Sequence, residues 1–213
     1  MQLNNSSFTS SSEDVMNLTD IYQKDCNLAI WKRKPSDDIT RYIEQFIHQG
    51  SNFRDVKRVI SVDKAKDSIE NLFPDFSGKE YFIKDLSLII EMFGYLFELK
   101  DVGLRCNVIH KTMCPNFHVD RVPCRLILTY YGEGTEYLSN SSRFDNIDVI
   151  QQINESEDRQ VPKKYESYIN QINNNDVALL KGTLWDSNYE NAVIHRSPVN
   201  HTISRMVMTL DFV

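Results

Sequence analysis

The residues of this chain best suited to chemistry are His118-Val119-Asp120, His195 far downstream, and Arg205 beyond it. Side chains two apart on a β-strand share a face, so His118 and Asp120 can grip one cation while Val119 faces the other way. His195 completes a set of two imidazoles and one carboxylate. Non-haem Fe(II) oxygenases hold iron with this facial arrangement, which leaves positions open for a co-substrate and dioxygen. Arg205, permanently charged and fork-shaped, offers a bidentate donor to the far carboxylate of a dicarboxylic co-substrate such as 2-oxoglutarate. H-x-D by itself is a weak signal, and the order of all four residues carries the reading.

Other readings of the same residues stay open. His118 and Asp120 also suit a structural His–carboxylate pair, and Arg205 suits a surface ion pair with one of the 30 acidic residues. Cys114 and Cys124 flank the H-x-D and, with His118, offer zinc its preferred ligands, though they lack the close pairing of a zinc finger. A closed zinc site would belong to a metal-handling protein that is not a catalyst. A third use of such a scaffold is a metal-dependent hydrolase or isomerase. His110 and His201 are not expected among the ligands, while Trp185, Tyr189 and Phe144 are candidates to line a substrate pocket.

The elements that must position these residues begin with a chain of 213 residues, enough for one well-buried core. A net charge of −6 gives no basic surplus to track a nucleic-acid backbone. The start of the chain lacks a basic region followed by an apolar run, and its Asn/Ser/Thr-rich residues 1–12 read as a disordered tail. The nearest thing to a membrane span, 81–99, is interrupted by Lys84, Asp85, Glu91 and Glu98. Four cysteines without a C-x-x-C pair suit reduced thiols. A cytoplasmic protein with a small-molecule or protein substrate, and neither nucleic acid nor membrane as partner, is the expectation.

Pro35-Ser36-Asp37-Asp38 opens a helix in which Ile39, Tyr42, Ile43, Phe46 and Ile47 fall at helical spacing, and Gly50 ends it. A strand is expected at 56–62, and a long helix at 79–99, where Phe82, Leu86, Ile89, Ile90, Phe93 and Phe97 form one stripe. Beyond Asp101 short strand-like runs dominate, at 104–109, 117–120, 125–131, 177–180, 192–195 and 204–213. Residues 139–175 read as a polar insertion or lid with a helix near 165–172, and 151–164 as a solvated face. The expected fold is α+β: a mainly helical part, 13–100, buttresses a double-stranded β-helix (jelly roll) formed by 101–213, which carries the metal. In its last strand Arg205, Val207, Thr209 and Asp211 share one face.

The run Cys114-Pro115-Asn116-Phe117-His118-Val119-Asp120-Arg121-Val122-Pro123, followed by residues 125–132 and 134–138, resembles the bacterial family called domain of unknown function 1826. Asp176-Val177-Ala178-Leu179-Leu180-Lys181-Gly182 and His195-Arg196-Ser197-Pro198 continue the likeness, which runs from about Arg105 to the C-terminus. More distantly, the same half is similar to the 2-oxoglutarate- and Fe(II)-dependent dioxygenases. That resemblance implies iron on His118, Asp120 and His195, and the co-substrate's distal carboxylate on Arg205 with a hydrogen bond from Tyr130 or Tyr131. Asp211, on the interior face beyond the arginine, departs from it, because an acid is an unusual neighbour for an anionic co-substrate.

Overall fold

The computed structural model describes residues 8–49, 55–110, 114–139, 147–156, 161, 163–186, 188, 191–199 and 204–213. Helix α1, Asp37–Gln49, starts with two acids beside its free amides and buries Ile39, Tyr42, Ile43 and Phe46. A short helix α2, Ala65–Ile69, precedes α3, Lys79–Leu96, which buries Phe82, Ile83, Leu86, Ile89, Ile90 and Phe93. The two long helices meet through Tyr42 and Phe82, whose rings stack with centroids 4.9 Å apart. Gly50, the expected helix end, lies outside the described residues.

These helices cover one face of a seven-stranded sheet. Its strands are β1 (Phe8–Ser12), β2 (Cys26–Trp31), β3 (Val56–Ser61), β4 (Asp101–Ile109), β5 (Cys124–Tyr131), β8 (Val177–Lys181) and β10 (Arg205–Phe212). Their order is β1-β2-β8-β5-β10-β4-β3, antiparallel except for the parallel pair β1–β2. The second sheet is smaller, with β6 (Glu136–Leu138) between β7 (Ile169–Gln171) and β9 (His195–Arg196). Period-two alternation sorts the strand residues between two cores. Leu126, Leu128, Tyr130, Val177, Leu179, Met206, Met208 and Leu210 pack against the helices. Their alternates Ile127, Ala178, Leu180 and Val207 join Leu28, Ile30, Ile109, Ile172 and Val193 in the core between the sheets. All of β8 is buried because both its faces are covered. The architecture is α+β, a double-stranded β-helix buttressed by N-terminal helices.

The structure departs from the sequence reading in several elements. Phe8–Ser12 is not a tail but an edge strand paired with β2. The segment 13–100 contributes β2 to the main sheet as well as its helices and the expected strand β3, so the sheet draws on both halves of the chain. Within 139–175 the helix is α4, Ile147–Glu155, whereas Lys163–Tyr168 is a 3-10 turn leading into β7. Finally, α4 is not a wholly solvated face: Ile153 is buried with Leu138 and with Phe117, the residue before His118.

Candidate metal centre

His118 and His195 sit opposite each other in an isolated antiparallel bridge, each amide donating to the other's carbonyl at 3.0 Å. Directly opposed residues in such a bridge project to the same side, and the two imidazoles face each other with centroids 4.6 Å apart. Asn154 on α4 fixes the preceding residue at both ends, accepting from the Phe117 amide at 2.8 Å and donating to its carbonyl at 3.0 Å. The expected strand at 117–120 narrows to this one bridge, because the carbonyl of Asp120 is taken at 2.9 Å by the amide of Thr183. That crossing needs Gly182: a Cβ there would lie 2.1 Å from the Val122 carbonyl oxygen and 2.8 Å from that of Asp120.

The three side chains converge, with one ligand atom from each of His118, Asp120 and His195 lying within 4.8 Å of the others. Nε2 of His195 is 3.3 Å from Oδ2 of Asp120, and Nε2 of His118 is 3.8 Å from Oδ1. Each ring's Nδ1 faces a backbone carbonyl, that of Asn116 at 2.8 Å for His118 and of Val193 at 3.1 Å for His195. A carbonyl only accepts, so Nδ1 carries the hydrogen and the neutral ring turns the lone pair of Nε2 toward Asp120. Metal-binding histidines are oriented in this way. Three acceptors thus face one another. One proton can bridge a single imidazole to the carboxylate, but it cannot serve all three groups, whereas a divalent cation can. The spacing suits this, since two metal–ligand bonds of about 2.1 Å at a right angle put their donor atoms roughly 3 Å apart. Two nitrogens and one carboxylate oxygen are also the donor set that iron takes when coordination positions are kept open.

The charges agree with the geometry. Burial works to raise the Asp120 carboxyl, but in the metal-free protein a proton shared with His195, standing where a cation would sit, and the charge of Arg125 outweigh it and hold the group down at about 2. Burial first, and then the neighbouring His195, push His118 below its usual range, so it stays neutral and able to ligate.

A cavity of about 170 Å³ opens beside this cluster, lined by His118 and His195 and by Arg205, Val207 and Thr209 of β10, among others. Arg205 is 5% exposed, and its Nε donates to the Glu133 carbonyl. Its Nη2 is buried without a partner, alone in this respect among the described side-chain nitrogens and oxygens. Burial lowers its basicity to about 10 despite Glu133 and Glu136. Gly132, in a left-handed conformation at φ 83°, lets the chain pass the backbone of this arginine; a Cβ would lie 2.5 Å from the Ser204 carbonyl oxygen.

Other expected residues lie elsewhere. Tyr130 belongs to the opposite face, where its hydroxyl donates to Asp85 at 2.9 Å, so it cannot reach the cavity. Tyr131 packs with the helix-side core and meets His48 edge-on. Cys106 and Cys124 are fully buried on the helix side, which removes Cys124 from the ligand set, while Cys114 is exposed and lines the cavity. His110 meets Ser204 at 3.0 Å, and Trp185 packs on Tyr22 and Phe97 rather than beside the cavity. Phe144, Tyr189 and His201 lie outside the described residues.

Sequence reasoning missed Arg125, whose Nη1 donates to Oδ2 of Asp120 at 2.8 Å. It also missed Arg196, paired with Glu136 at 2.7 Å and lying over the Phe117 ring. The signal for Arg125 was there: at the head of β5 it alternates with Leu126 and Leu128, which places it with Ile127 on the cavity side.

Among solved structures, the chain is similar to dioxygenase for auxin oxidation 1 from Arabidopsis thaliana, solved with 2-oxoglutarate, at 12% identity. That match covers 97% of this chain and 92% of the other, with a TM-score of 0.54. A prolyl-4-hydroxylase from Pseudomonas putida matches at 9% identity over 92% and 90% of the two chains, with a TM-score of 0.47. At 12% identity the first likeness shows the fold alone. No curated protein matches the chain in sequence. The match that covers almost all of it, residues 12–211, is to the family described as Protein of unknown function (DUF1826), and the chain belongs to that family.

Proposed function

We propose that this chain is a non-haem Fe(II)- and 2-oxoglutarate-dependent dioxygenase. One observation carries the reading: both histidines of the converging His118–Asp120–His195 cluster line the same cavity as Arg205, whose buried Nη2 has no partner. The first arrangement calls for a cation and the second for an anion, and a dicarboxylate held between iron and Arg205 answers both. Iron bound there would supply dioxygen activation, with 2-oxoglutarate as the reductant, lost as succinate and carbon dioxide.

The chain's own residues have definite tasks. His118, Asp120 and His195 hold the metal through three positions and leave the others open. Arg205 grips the distal carboxylate, which its cavity wall of Ile109, Ile127 and Val207 shields from water. Tyr130 has no part in this. The substrate is a small molecule or a protein, reached from the cavity mouth, and we place the enzyme in the cytoplasm, where free cysteines are stable. Among the described residues no helix is long and apolar enough to cross a membrane.

The test is calorimetric titration of 2-oxoglutarate into protein loaded with Mn(II), a stand-in that does not turn over. Saturable binding that requires the metal is expected. Folded, Mn(II)-loaded protein that takes up no 2-oxoglutarate would remove the proposal.

A further inference from the structure

Arg125 uses its guanidinium in two directions. Its Nε and Nη2 form a side-on pair with Oδ1 and Oδ2 of Asp211 at 2.7 and 3.0 Å, and its Nη1 reaches Oδ2 of Asp120 at 2.8 Å. Asp211 is 7% exposed on β10, and Asp211 and Arg125 are direct cross-strand partners in the β10–β5 register. The contact is therefore built from two strands of the main sheet rather than from a loop.

We propose that Arg125 and Asp211 act as a positioning pair for Asp120, fixing how its carboxylate meets the cation; this rests on the metal centre proposed above. A carboxylate has two oxygens and can give a metal either or both. With Oδ2 tied to Nη1, rotation of the group is stopped and one oxygen is already engaged, which favours a single bond to the cation and keeps a coordination position free. An arginine alone would do this badly. Its charge would repel the cation and draw off the negative charge that Asp120 offers. Asp211 neutralises Arg125 from the far side, so the trio of Asp120, Arg125 and Asp211 keeps one net negative charge, the same as a lone carboxylate; Arg105, 3.9 Å from Oδ2 of Asp211, is half-exposed and its charge is screened by solvent. The interior acid that looks out of place beside an anionic co-substrate thus has a role, and its charge does not face the co-substrate uncompensated.

The test uses Co(II) as the probe, read by calorimetric affinity and by the visible d–d spectrum, which responds to coordination number. Three variants are compared with the wild type: Asp211→Asn, Arg125→Lys, and the double apolar variant Arg125→Met with Asp211→Leu, which removes the ion pair as a unit, leaves Asp120 beside His195 and half-exposed Arg105 to solvent, and so guards against misfolding. The double variant frees the carboxylate without changing its charge; a loss of about tenfold in affinity and a changed spectrum are expected. Asp211→Asn, which leaves Arg125 uncompensated, should lose more than the double variant. Arg125→Lys should restore part of the affinity but not the spectrum, because lysine lacks the fork. A purely structural pair would alter the unfolding temperature of the apoprotein without this ordering. Affinities within twofold of wild type and an unchanged spectrum in folded Asp211→Asn and double variants would overturn the proposal while leaving the metal centre standing. Failure of the wild type to bind Co(II) would remove the metal centre, and this inference with it.

Discussion

Replacing Arg205 with methionine separates a binding role from a structural one, because the two predict opposite signs. In the protein without ligand, Nη2 of Arg205 has no partner, and burial of the charge lowers its pKa from the ordinary arginine range to about 10. Such a shift corresponds to roughly 3 kcal/mol against the charged form at neutral pH. Methionine removes that cost and loses the hydrogen bond from Nε to the Glu133 carbonyl, about 1 kcal/mol. The apo variant is therefore expected to unfold in urea at a concentration no lower than wild type. With a dicarboxylate bound the balance reverses. A charged hydrogen bond from Nη2 contributes about 2 kcal/mol, and a bidentate pair more, so the 2-oxoglutarate Kd of the Mn(II)-loaded variant should rise at least 30-fold by order of magnitude. Affinity for Mn(II) alone should stay within about threefold, since Arg205 does not belong to the ligand cluster. A variant that binds 2-oxoglutarate as tightly as wild type but unfolds much more easily would show that Arg205 is a structural arginine, and the reasoning would fail.

Four further outcomes follow from the same geometry. His195→Ala should lose at least tenfold in Mn(II) affinity by calorimetry, whereas His110→Ala should not. Gly182→Ala forces a Cβ against the Val122 and Asp120 carbonyls, so it should destabilise the fold by about 1–3 kcal/mol and weaken metal binding together, as denaturant and metal titrations would show. In native protein a thiol reagent should modify Cys114 quickly and spare Cys26, Cys106 and Cys124, which are buried, Cys106 with its thiol pushed up to about 12; mass spectrometry after brief labelling reads this. Asp120 has a depressed folded-state value, so its contribution is complete above its ordinary value of 3.8 and is lost as pH falls through about 2. Apo Asp120→Asn should accordingly show a shallower loss of urea stability between pH 4 and 2 than wild type.

Much of this was legible in the chain because a few residue types admit few chemistries. The order of His118, Asp120 and His195 marks the cluster that the structure brings together, with zinc and a structural pair as alternatives, and the apolar stripes of α1 and α3 mark the helices. What stayed hidden has physical causes. β1 is a Ser- and Thr-rich edge strand whose pairing with β2, not its composition, orders it. β2 is buried through most of its length, so it shows no alternation, and Asn27 interrupts its apolar run. α4 exposes most of its polar residues and reveals itself through Ile153 and Asn154, whose partner Phe117 is 37 residues away. Tyr130 was misplaced by the resemblance rather than by the pattern: period two already grouped it with Leu126 and Leu128, away from Arg125 and Thr129. The Arg125–Asp211 pair spans 86 positions and becomes visible only once β5 lies beside β10.

The most direct measurement is an anaerobic titration of wild-type protein with Fe(II) and then 2-oxoglutarate, followed in the visible range. A weak metal-to-ligand charge-transfer band that saturates near one equivalent of each, and is absent in Asp120→Ala, is the expected result. Folded protein that binds Fe(II) yet develops no band at saturating 2-oxoglutarate would contradict the account.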